Sequence, residues 1–347
     1  MNSEIDKINQ FRDAIAIASH PLIVCHVNPD GDTIGTALAF YLFFQANGKQ
    51  AHVVSPGPLP SFLEWMPAAK DITLFTENPD AVKSLFAETD LLLCVDFNAT
   101  IRAGNLKTFI EDSKAVKVLI DHHPDPESFA SICFSDIKSS STSEIACNLF
   151  LALSETELFD PKMAACLYTG IMTDTGCYSY SCSDKTHSTT AVLLKSGIDA
   201  ARIHQLVYDT YSEKRMRLLG FCLSRRMVVN VDNHSAYIYL SKEDRELFNY
   251  QTGDSEGLVN YGLSIGHVVF AAIIIERQDE VKLSFRSKGD FNVNEFARKY
   301  FNGGGHKNAA GASSFVSLKE TIKKLEEAIN ENHDALLLQH KKLYHEN

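Results

Sequence analysis

The chain has 347 residues, 45% of them hydrophobic, and this length allows two cores because a single core stops growing at about 250–300 residues. Its 33 Lys and Arg residues against 44 Asp and Glu residues give a formal net charge of -11 at pH 7. This acidic balance argues against binding along a long nucleic-acid backbone and leaves room for a local basic pocket.

The first half of the chain repeats one pattern, in which an apolar strand precedes a polar turn and a helix. An amphipathic helix is predicted over residues 4–19. The apolar run 21–27 predicts a buried strand, residues 28–32 a polar turn, and residues 33–47 a helix that ends at Gly48. Such strands are typical of a parallel sheet covered on both faces, so ligands are expected at their carboxyl ends.

Later segments of this half also deliver polar side chains. Residues 51–55 and 90–96 predict two strands, and the second ends on an aspartate. Residues 115–120 predict a strand that leads into an aspartate and two adjacent histidines. The apolar helix predicted over 161–174 ends on an aspartate before a glycine turn. The acids are therefore expected to meet at one edge of the sheet.

The second half of the chain has a different pattern. Residues 184–222 predict connecting helices, and after about residue 223 short strands alternate in antiparallel style, which indicates a second, mixed-sheet domain. A glycine-rich loop is predicted over 302–308 and a last helix from about residue 317.

The Ser- and Thr-rich segment 136–144 lies before an apolar helix pattern. Such a segment can form a phosphate loop, but it more often supplies a helix N-cap. Ser143 is the predicted cap.

Eight polar residues of the first half fall at predicted strand ends or glycine turns. They are His26, Asp30, Asp32, Asp96, Asp121, His122, His123 and Asp174. Carboxylates gathered at one edge would repel each other and raise one another's pKa unless cations neutralised them, and two divalent ions balance four carboxylates. Mixed carboxylate and imidazole ligands favour two Mn²⁺ ions, with Asp96 as the bridge and with Mg²⁺ or Co²⁺ as substitutes.

Motifs in both halves resemble a known family. Four segments in order are similar to the motifs of the DHH phosphoesterase superfamily: HVNPDGD, LLLCVDF, LIDHHPD and YTGIMTDTG. Three later segments resemble the associated C-terminal domain of the oligoribonuclease and 3'-phosphoadenosine-5'-phosphate (PAP) phosphatase branch: TGDSEGLVN, VKLSFRSKGD and FNGGGHKNAAGA. The resemblance covers roughly residues 14–315.

The resemblance implies a role for each site residue. One metal would be held by His26, Asp30 and Asp96, and the other by Asp32, Asp96, His122 and Asp174. His123 would face the scissile phosphate, and Asp121 would orient the neighbouring imidazole without ligating a metal. Thr33, Tyr178 and Tyr180 depart from the usual pattern without removing a ligand.

The resemblance also implies an α/β architecture with two domains. A DHH domain with a parallel sheet sandwiched by helices is expected over 1–185, connecting helices over 186–222, and a smaller mixed-sheet α/β domain over 223–335. The active site is expected in the cleft between the two domains.

The glycine-rich loop leaves two interpretations open, a plain turn or a nest of backbone N–H groups that binds phosphate. The resemblance favours phosphate binding by Gly303, Gly304, Gly305 and His306, with Arg286 as a further donor. A small basic cluster on an acidic protein fits short single-stranded oligonucleotides or a nucleoside bisphosphate.

The expected activity is metal-dependent hydrolysis by a bridging hydroxide. The resemblance implies release of 5'-mononucleotides from very short RNA and conversion of PAP to AMP and phosphate. One alternative is a phosphodiesterase for the linear dinucleotides left by cyclic-dinucleotide turnover. Two others are a pyrophosphatase-like hydrolase, whose relatives lack the GGGH loop, and a nucleotide-binding regulator, which the six intact ligands disfavour.

The eight cysteines are scattered without a CxxC pair, as expected for reduced thiols. The N-terminus has no signal-peptide pattern, and no apolar run approaches the roughly 18 residues of a membrane span. A cytoplasmic protein that does not bind membranes and can form a homodimer is expected.

Overall fold

The computed structural model describes residues 2–153, 159–251 and 253–344. The chain divides into two compact units, Met1–Thr210 and Tyr211–Asn347. The division lies inside the segment 186–222 that was predicted to join the domains. Among the described residues, no helix is long and apolar enough to cross a membrane.

The first unit contains a six-stranded sheet in which every neighbouring pair is parallel. The strand order is β3-β2-β1-β4-β5-β6, so the chain order reverses between β1 and β4. In open α/β sheets a ligand site forms at such a reversal, outside the carboxyl ends of the strands. The strands are β1 (Pro21–Val24), β2 (His52–Ser55), β3 (Ile72–Leu74), β4 (Leu91–Val95), β5 (Val116–Asp121) and β6 (Ile132–Ser135).

Two separate hydrophobic clusters contain alternate residues of the central strands, so the sheet is covered on both faces. Ile23 and Leu93 belong to one cluster, and Leu22 and Leu92 belong to the other. This explains why β1 and β4 are apolar at consecutive positions. The helices of the unit are α1 (Asn2–Ile17), α2 (Gly31–Ala46), α3 (Pro79–Glu88), α4 (Lys107–Asp112), α5 (Thr142–Leu153), α6 (Pro161–Asp174), α7 (Asp184–Lys195) and α8 (Ala200–Tyr208).

The second unit contains a mixed six-stranded sheet in the order β11-β12-β10-β9-β8-β7, in which β8 and β9 are parallel and the other pairs antiparallel. Its strands are β7 (Met227–Asn230), β8 (Ser235–Leu240), β9 (Phe270–Glu276), β10 (Val281–Ser287), β11 (Gly304–Gly305) and β12 (Ala309–Ser314). Its helices are α9 (Glu213–Phe221), α10 (Lys242–Leu247), α11 (Leu258–Leu263), α12 (Val293–Phe301), α13 (Leu318–Glu331) and α14 (His333–Tyr344). The predicted fold class, a parallel-sheet domain followed by a mixed-sheet α/β domain, is confirmed.

A partly buried ion pair joins Arg226, the residue before β7, to Asp244 of α10 in the second unit. Arg226 donates from Nε to Asp244 Oδ2 at 2.7 Å and from Nη2 to Oδ1 at 2.8 Å. Asp244 also accepts the Ser241 backbone N–H at 3.1 Å. Burial alone would raise the pKa of Asp244, but the Arg226 and Ser241 hydrogen bonds hold it below its usual value of 3.8. The pair therefore stabilises the unit when Asp244 is ionised.

We expect Asp244→Asn to lower the free energy of unfolding by about 2–4 kcal/mol at pH 7, because Arg226 loses its charged partner. Since the folded pKa is depressed, the contribution is complete above pH 3.8 and is lost as the pH falls through the folded pKa. Urea denaturation of both proteins at pH 7 and at about pH 2.5, well below the unfolded pKa, measures this. Asp80→Asn, which removes an exposed ion pair with Lys83, is the control. An equal difference at both pH values would contradict the assignment.

Candidate metal centre

Three adjacent strands of the first unit bring the predicted site residues together. His26 and Asp30 follow β1, Asp96 follows β4, and β5 runs into His122. Because β4 pairs with both β1 and β5, Asp96 lies between the side chains that follow β1 and those that follow β5. Its backbone has φ +65°, a conformation that aspartate tolerates better than most residues.

The turn after β1 places two carboxylates at the start of α2. Asp30 is the N-cap residue, and its Oδ1 accepts the backbone N–H groups of Asp32 at 3.1 Å and Thr33 at 3.0 Å. The helix begins at Gly31, two residues earlier than the sequence predicts. A Cβ atom on Gly31 would lie 2.8 Å from Thr173 Cγ2, so glycine is required where α2 meets α6. The same contact places the end of α6, and with it Asp174, beside Asp32.

Among the described residues of the first unit, three groups of side chains have cation-binding geometry: two consist of predicted ligands, and the third consists of Asp96, Asp121 and His123. The ligand atoms of His26, Asp30 and Asp96 lie within 4.8 Å of one another, and so do those of Asp32, His122 and Asp174. His122 Nε2 is 3.6 Å from Asp96 Oδ1 and 3.5 Å from Asp174 Oδ2. Asp96 therefore belongs to the first group and adjoins the second.

The orientation of His26 fits a cation ligand. Its Nδ1 lies 2.9 Å from the Val27 carbonyl oxygen. Because a carbonyl oxygen can only accept a hydrogen bond, Nδ1 carries the proton and donates it. Its Nε2 is buried 3.4 Å from Asp96 Oδ2 and makes no hydrogen bond within the described part of the chain. A buried imidazole lone pair aimed among carboxylates is a donor arrangement that suits divalent transition metals.

The electrostatics of the cluster also favour a cation. Burial raises the pKa of Asp32 well above its usual value, and the charges of Asp96 and Asp174 raise it further. Burial would also raise the pKa of Asp96, but the neighbouring His26 imidazole and the charges of His123 and His122 lower it below its usual range. Burial would lower the pKa of His122, yet the Asp174, Asp96 and Asp32 carboxylates raise it to about 9. Bound cations would replace these protons as the compensating charge.

Asp121 contacts His123, the second of the two adjacent histidines that follow β5. Its Oδ1 accepts a hydrogen bond from His123 Nδ1 at 2.7 Å, and the carboxylate is fully buried. This contact fixes the direction of the His123 ring. The ring centroids of His122 and His123 are 4.8 Å apart at 72°, so the two imidazoles point in different directions.

Comparisons with known proteins identify the family of the chain. A sequence model described as "DHH family, N-terminal domain" matches residues 21–171, and one described as "DHHA1 domain" matches residues 236–332. The crystal structure of an exopolyphosphatase-related protein from Bacteroides fragilis is 39% identical, with a TM-score of 0.91 over 95% of this chain and 97% of that chain. The chain belongs to the DHH family.

Two curated relatives of this DHH-family protein carry functional names. The probable bifunctional oligoribonuclease and PAP phosphatase NrnA of Streptococcus mutans is 29% identical, over 84% of this chain and 88% of the relative. The NrnA of Bacillus subtilis, named a bifunctional oligoribonuclease and PAP phosphatase, is 27% identical over the same shares. Family and relatives together support a phosphoesterase hydrolase.

The sequence did not predict several residues that contact the candidate ligands of this DHH-family protein. The N–H groups of Thr142 and Ser143 donate to Asp32, and the hydroxyl of Thr33 donates to Asp96 at 2.6 Å. Burial and the charge of Arg102 lower the pKa of His26, but Asp96 and Asp30 outweigh them and raise it above its usual value. The predicted capping role of Ser143 is wrong, because Ser141 Oγ accepts the N–H of Glu144 at 3.0 Å. The Ser- and Thr-rich composition was the available signal, but it did not identify the acceptor.

The glycine-rich loop of the second unit contains a short hairpin strand, which disfavours a nest of N–H groups, and phosphate binding by this loop stays a prediction. β11 pairs with β12, and Gly305 has φ +150°. The amides that a nest would use donate within the unit: Gly303 N–H to Ala297 O at 3.0 Å, Gly305 N–H to Asn294 Oδ1 at 3.0 Å and His306 N–H to Ala309 O at 2.7 Å. Steric room explains Gly303 better, since a Cβ atom there would lie 2.6 Å from Ala312 Cβ.

Arg286 and His306 are both connected to Ala309 of β12 in the second unit. Arg286 on β10 is the register partner of Ala309 on β12, and Ala309 is hydrogen-bonded to His306 through both backbone groups. Ala309 therefore lies between the backbones of the two predicted substrate-binding residues.

Proposed function

We propose that this protein is a cation-dependent phosphodiesterase and phosphatase. Its substrates are very short RNA, from which it releases 5'-mononucleotides, and PAP, which it converts to AMP and phosphate. Asp96 belongs to one group of cation-binding side chains and adjoins the other, and this position carries the proposal. In a two-metal hydrolase such a carboxylate can contact both metal ions. The names of the curated relatives support the choice of substrates.

In this proposal two Mn²⁺ ions are the cofactors, and Mg²⁺ or Co²⁺ can replace them. One ion is held by His26, Asp30 and Asp96, and the other by Asp32, Asp96, His122 and Asp174. When bound, the ions activate water for attack on phosphorus and neutralise charge on the phosphate oxygens. Three observations support mixed ligation of this kind: the buried Nε2 of His26, the two carboxylates at the start of α2, and the raised pKa of Asp32.

The remaining roles are assigned to residues that do not ligate the ions. His123 contacts the phosphate that is cleaved, and its hydrogen bond to Asp121 holds the ring in position. Arg286 and His306 bind phosphate groups of the substrate, and Gly303 and Gly305 leave the room that the close hairpin carrying His306 needs. The chain has a net charge of -11. Since only a few basic side chains are proposed to bind phosphate, short substrates are favoured over long strands.

The proposal also places the protein in the cytoplasm without a membrane partner. All eight cysteines are free thiols, which is the expected state in a reducing compartment.

A substrate panel tests the proposal directly. The purified protein is incubated with PAP and with 5'-labelled RNA of two to five nucleotides, with Mn²⁺ or with a chelator. Mn²⁺-dependent release of phosphate from PAP and of 5'-mononucleotides from RNA is expected. Linear dinucleotides and pyrophosphate complete the panel. If only pyrophosphate is hydrolysed, the substrate assignment is wrong, and if no compound is hydrolysed, the protein is not the proposed enzyme.

We expect Arg286→Ala to raise KM for PAP about 10- to 100-fold, because a guanidinium hydrogen bond to phosphate contributes about 1.5–3 kcal/mol. The Mn²⁺ content should not change, since the proposed ligands all lie in the first unit. Steady-state kinetics and metal analysis of the same preparations measure both. Lys282→Ala is the matched control, because Lys282 is a cation on the same strand that bonds Ser313 at 2.9 Å. Loss of Mn²⁺ from Arg286→Ala would refute this division of roles.

A further inference from the structure

The N-terminus of α5 holds two of the acidic side chains at once. The backbone N–H of Thr142 donates to Asp32 Oδ2 at 2.7 Å, and the N–H of Ser143 donates to Asp32 Oδ1 at 2.8 Å. The hydroxyl of Thr142 donates to Asp96 Oδ1 at 2.9 Å. Thr142 therefore connects the carboxylate of α2 to the carboxylate that follows β4.

This segment is buried and held by its own polar contacts. Residues 140–144 are at most 2% exposed. Glu144 Oε2 accepts the N–H of Ser140 at 3.0 Å and its hydroxyl at 2.5 Å. The same oxygen accepts the hydroxyl of Thr186 in α7 at 2.9 Å. Thr142 is thus held in place by a network that includes neither Asp32 nor Asp96.

The hydrogen bonds leave both carboxylates able to bind a cation. A carboxylate oxygen has two lone pairs, and one hydrogen bond uses one of them. Asp96 Oδ2 accepts a hydrogen bond from the hydroxyl of Thr33 at 2.6 Å. Each oxygen of Asp96 is therefore held by one threonine hydroxyl, Oδ1 by Thr142 and Oδ2 by Thr33. Hydrogen-bond donors that hold a carboxylate in one orientation favour metal binding, because the side chain loses less freedom when the metal binds.

We propose that Thr142 is a positioning residue, whose hydroxyl and N–H set the separation and orientation of Asp32 and Asp96 for binding two cations. The identity of these carboxylates as ligands rests on the proposed function. Thr142 itself contacts neither a cation nor the substrate. Its effect is transmitted through the two carboxylates, so it is measured first in cation affinity and only secondarily in turnover.

The test is calorimetric titration of the metal-depleted full chain with Mn²⁺, without substrate. Thr142→Val keeps the N–H and the shape but removes the hydroxyl, and it should weaken Mn²⁺ binding about 10- to 100-fold, the usual effect of losing a partner of a ligand. Thr142→Ser restores the hydroxyl and should bind within about threefold of the unmodified chain. Thr169→Val is the matched control, because Thr169 is also fully buried and its hydroxyl donates to the Ala165 carbonyl at 2.7 Å.

The outcomes separate this inference from the proposed function. Wild-type affinity in Thr142→Val, or equal weakening in Thr142→Ser or in Thr169→Val, would overturn the positioning role. If Thr142→Val does not fold by circular dichroism, Thr142→Ala removes the same hydroxyl and carries the same expectation. Failure of the unmodified chain to bind Mn²⁺ would instead refute the proposed metal centre, and failure to hydrolyse the panel would refute the proposed reaction.

Discussion

Asp96→Asn is expected to reduce Mn²⁺-dependent turnover of PAP by about a thousandfold or more, while the protein stays folded. Asp96 Oδ2 lies 3.4 Å from His26 Nε2, and its Oδ1 lies 3.6 Å from His122 Nε2. The loss of this one charge therefore affects both groups of cation ligands. Metal ions contribute several kcal/mol to such reactions, and about 4 kcal/mol corresponds to a thousandfold in rate.

The fold should tolerate the asparagine, because the partners of Asp96 are adaptable. The hydroxyls of Thr33 and Thr142 that now donate to Asp96 can rotate and accept from an amide instead. Turnover of PAP, bound Mn²⁺ and circular dichroism are measured on the same samples. Asp13→Asn, at an exposed position of α1 in the same unit, is the matched control. Turnover within tenfold of the unmodified chain would show that Asp96 is not shared between two cations.

Local patterns were sufficient to predict which polar side chains the first unit brings together. The runs around Leu22 and Leu92 are apolar at consecutive positions because the sheet is covered on both faces, and this marks strands whose carboxyl ends carry ligands. The aspartates that follow β1 and β4, and the triplet after β5, were predicted from their positions alone. Adjacent parallel strands bring such residues to one sheet edge whatever the connecting segments do.

The contacts that orient these ligands could not be predicted in the same way. Thr142 and Asp32 are 110 positions apart, and the Ser- and Thr-rich segment has the same composition whether it caps its own helix or holds a distant carboxylate. The glycine triplet was ambiguous for a similar reason. An amide is available for phosphate only if no internal acceptor takes it, and the acceptor of Gly305, Asn294 on α12, is identified only by tertiary structure.

His122→Ala is expected to weaken Mn²⁺ binding and to lower turnover of PAP, each by more than about 100-fold, because loss of a ligand should exceed the 10- to 100-fold effect of losing a ligand's partner. His122 Nε2 lies 3.5 Å from Asp174 Oδ2 and 4.0 Å from Asp32 Oδ2, at the centre of the second group. Calorimetric titration and steady-state kinetics measure the two losses. His52→Ala, at an exposed position of β2, should show neither.

The same variant has a second effect in the metal-free protein, with a defined pH dependence. The folded pKa of His122 is raised from 6.5 to about 9, so its positive charge stabilises the fold fully below pH 6.5 and this contribution is lost as the pH rises through about 9. Metal-free His122→Ala should therefore melt at a lower temperature than the unmodified chain at pH 6, and the difference should close above pH 9. Thermal unfolding in chelator measures the difference. A difference that is constant with pH would mean that the imidazole contributes packing and not charge, and unchanged Mn²⁺ affinity would mean that it is not a ligand.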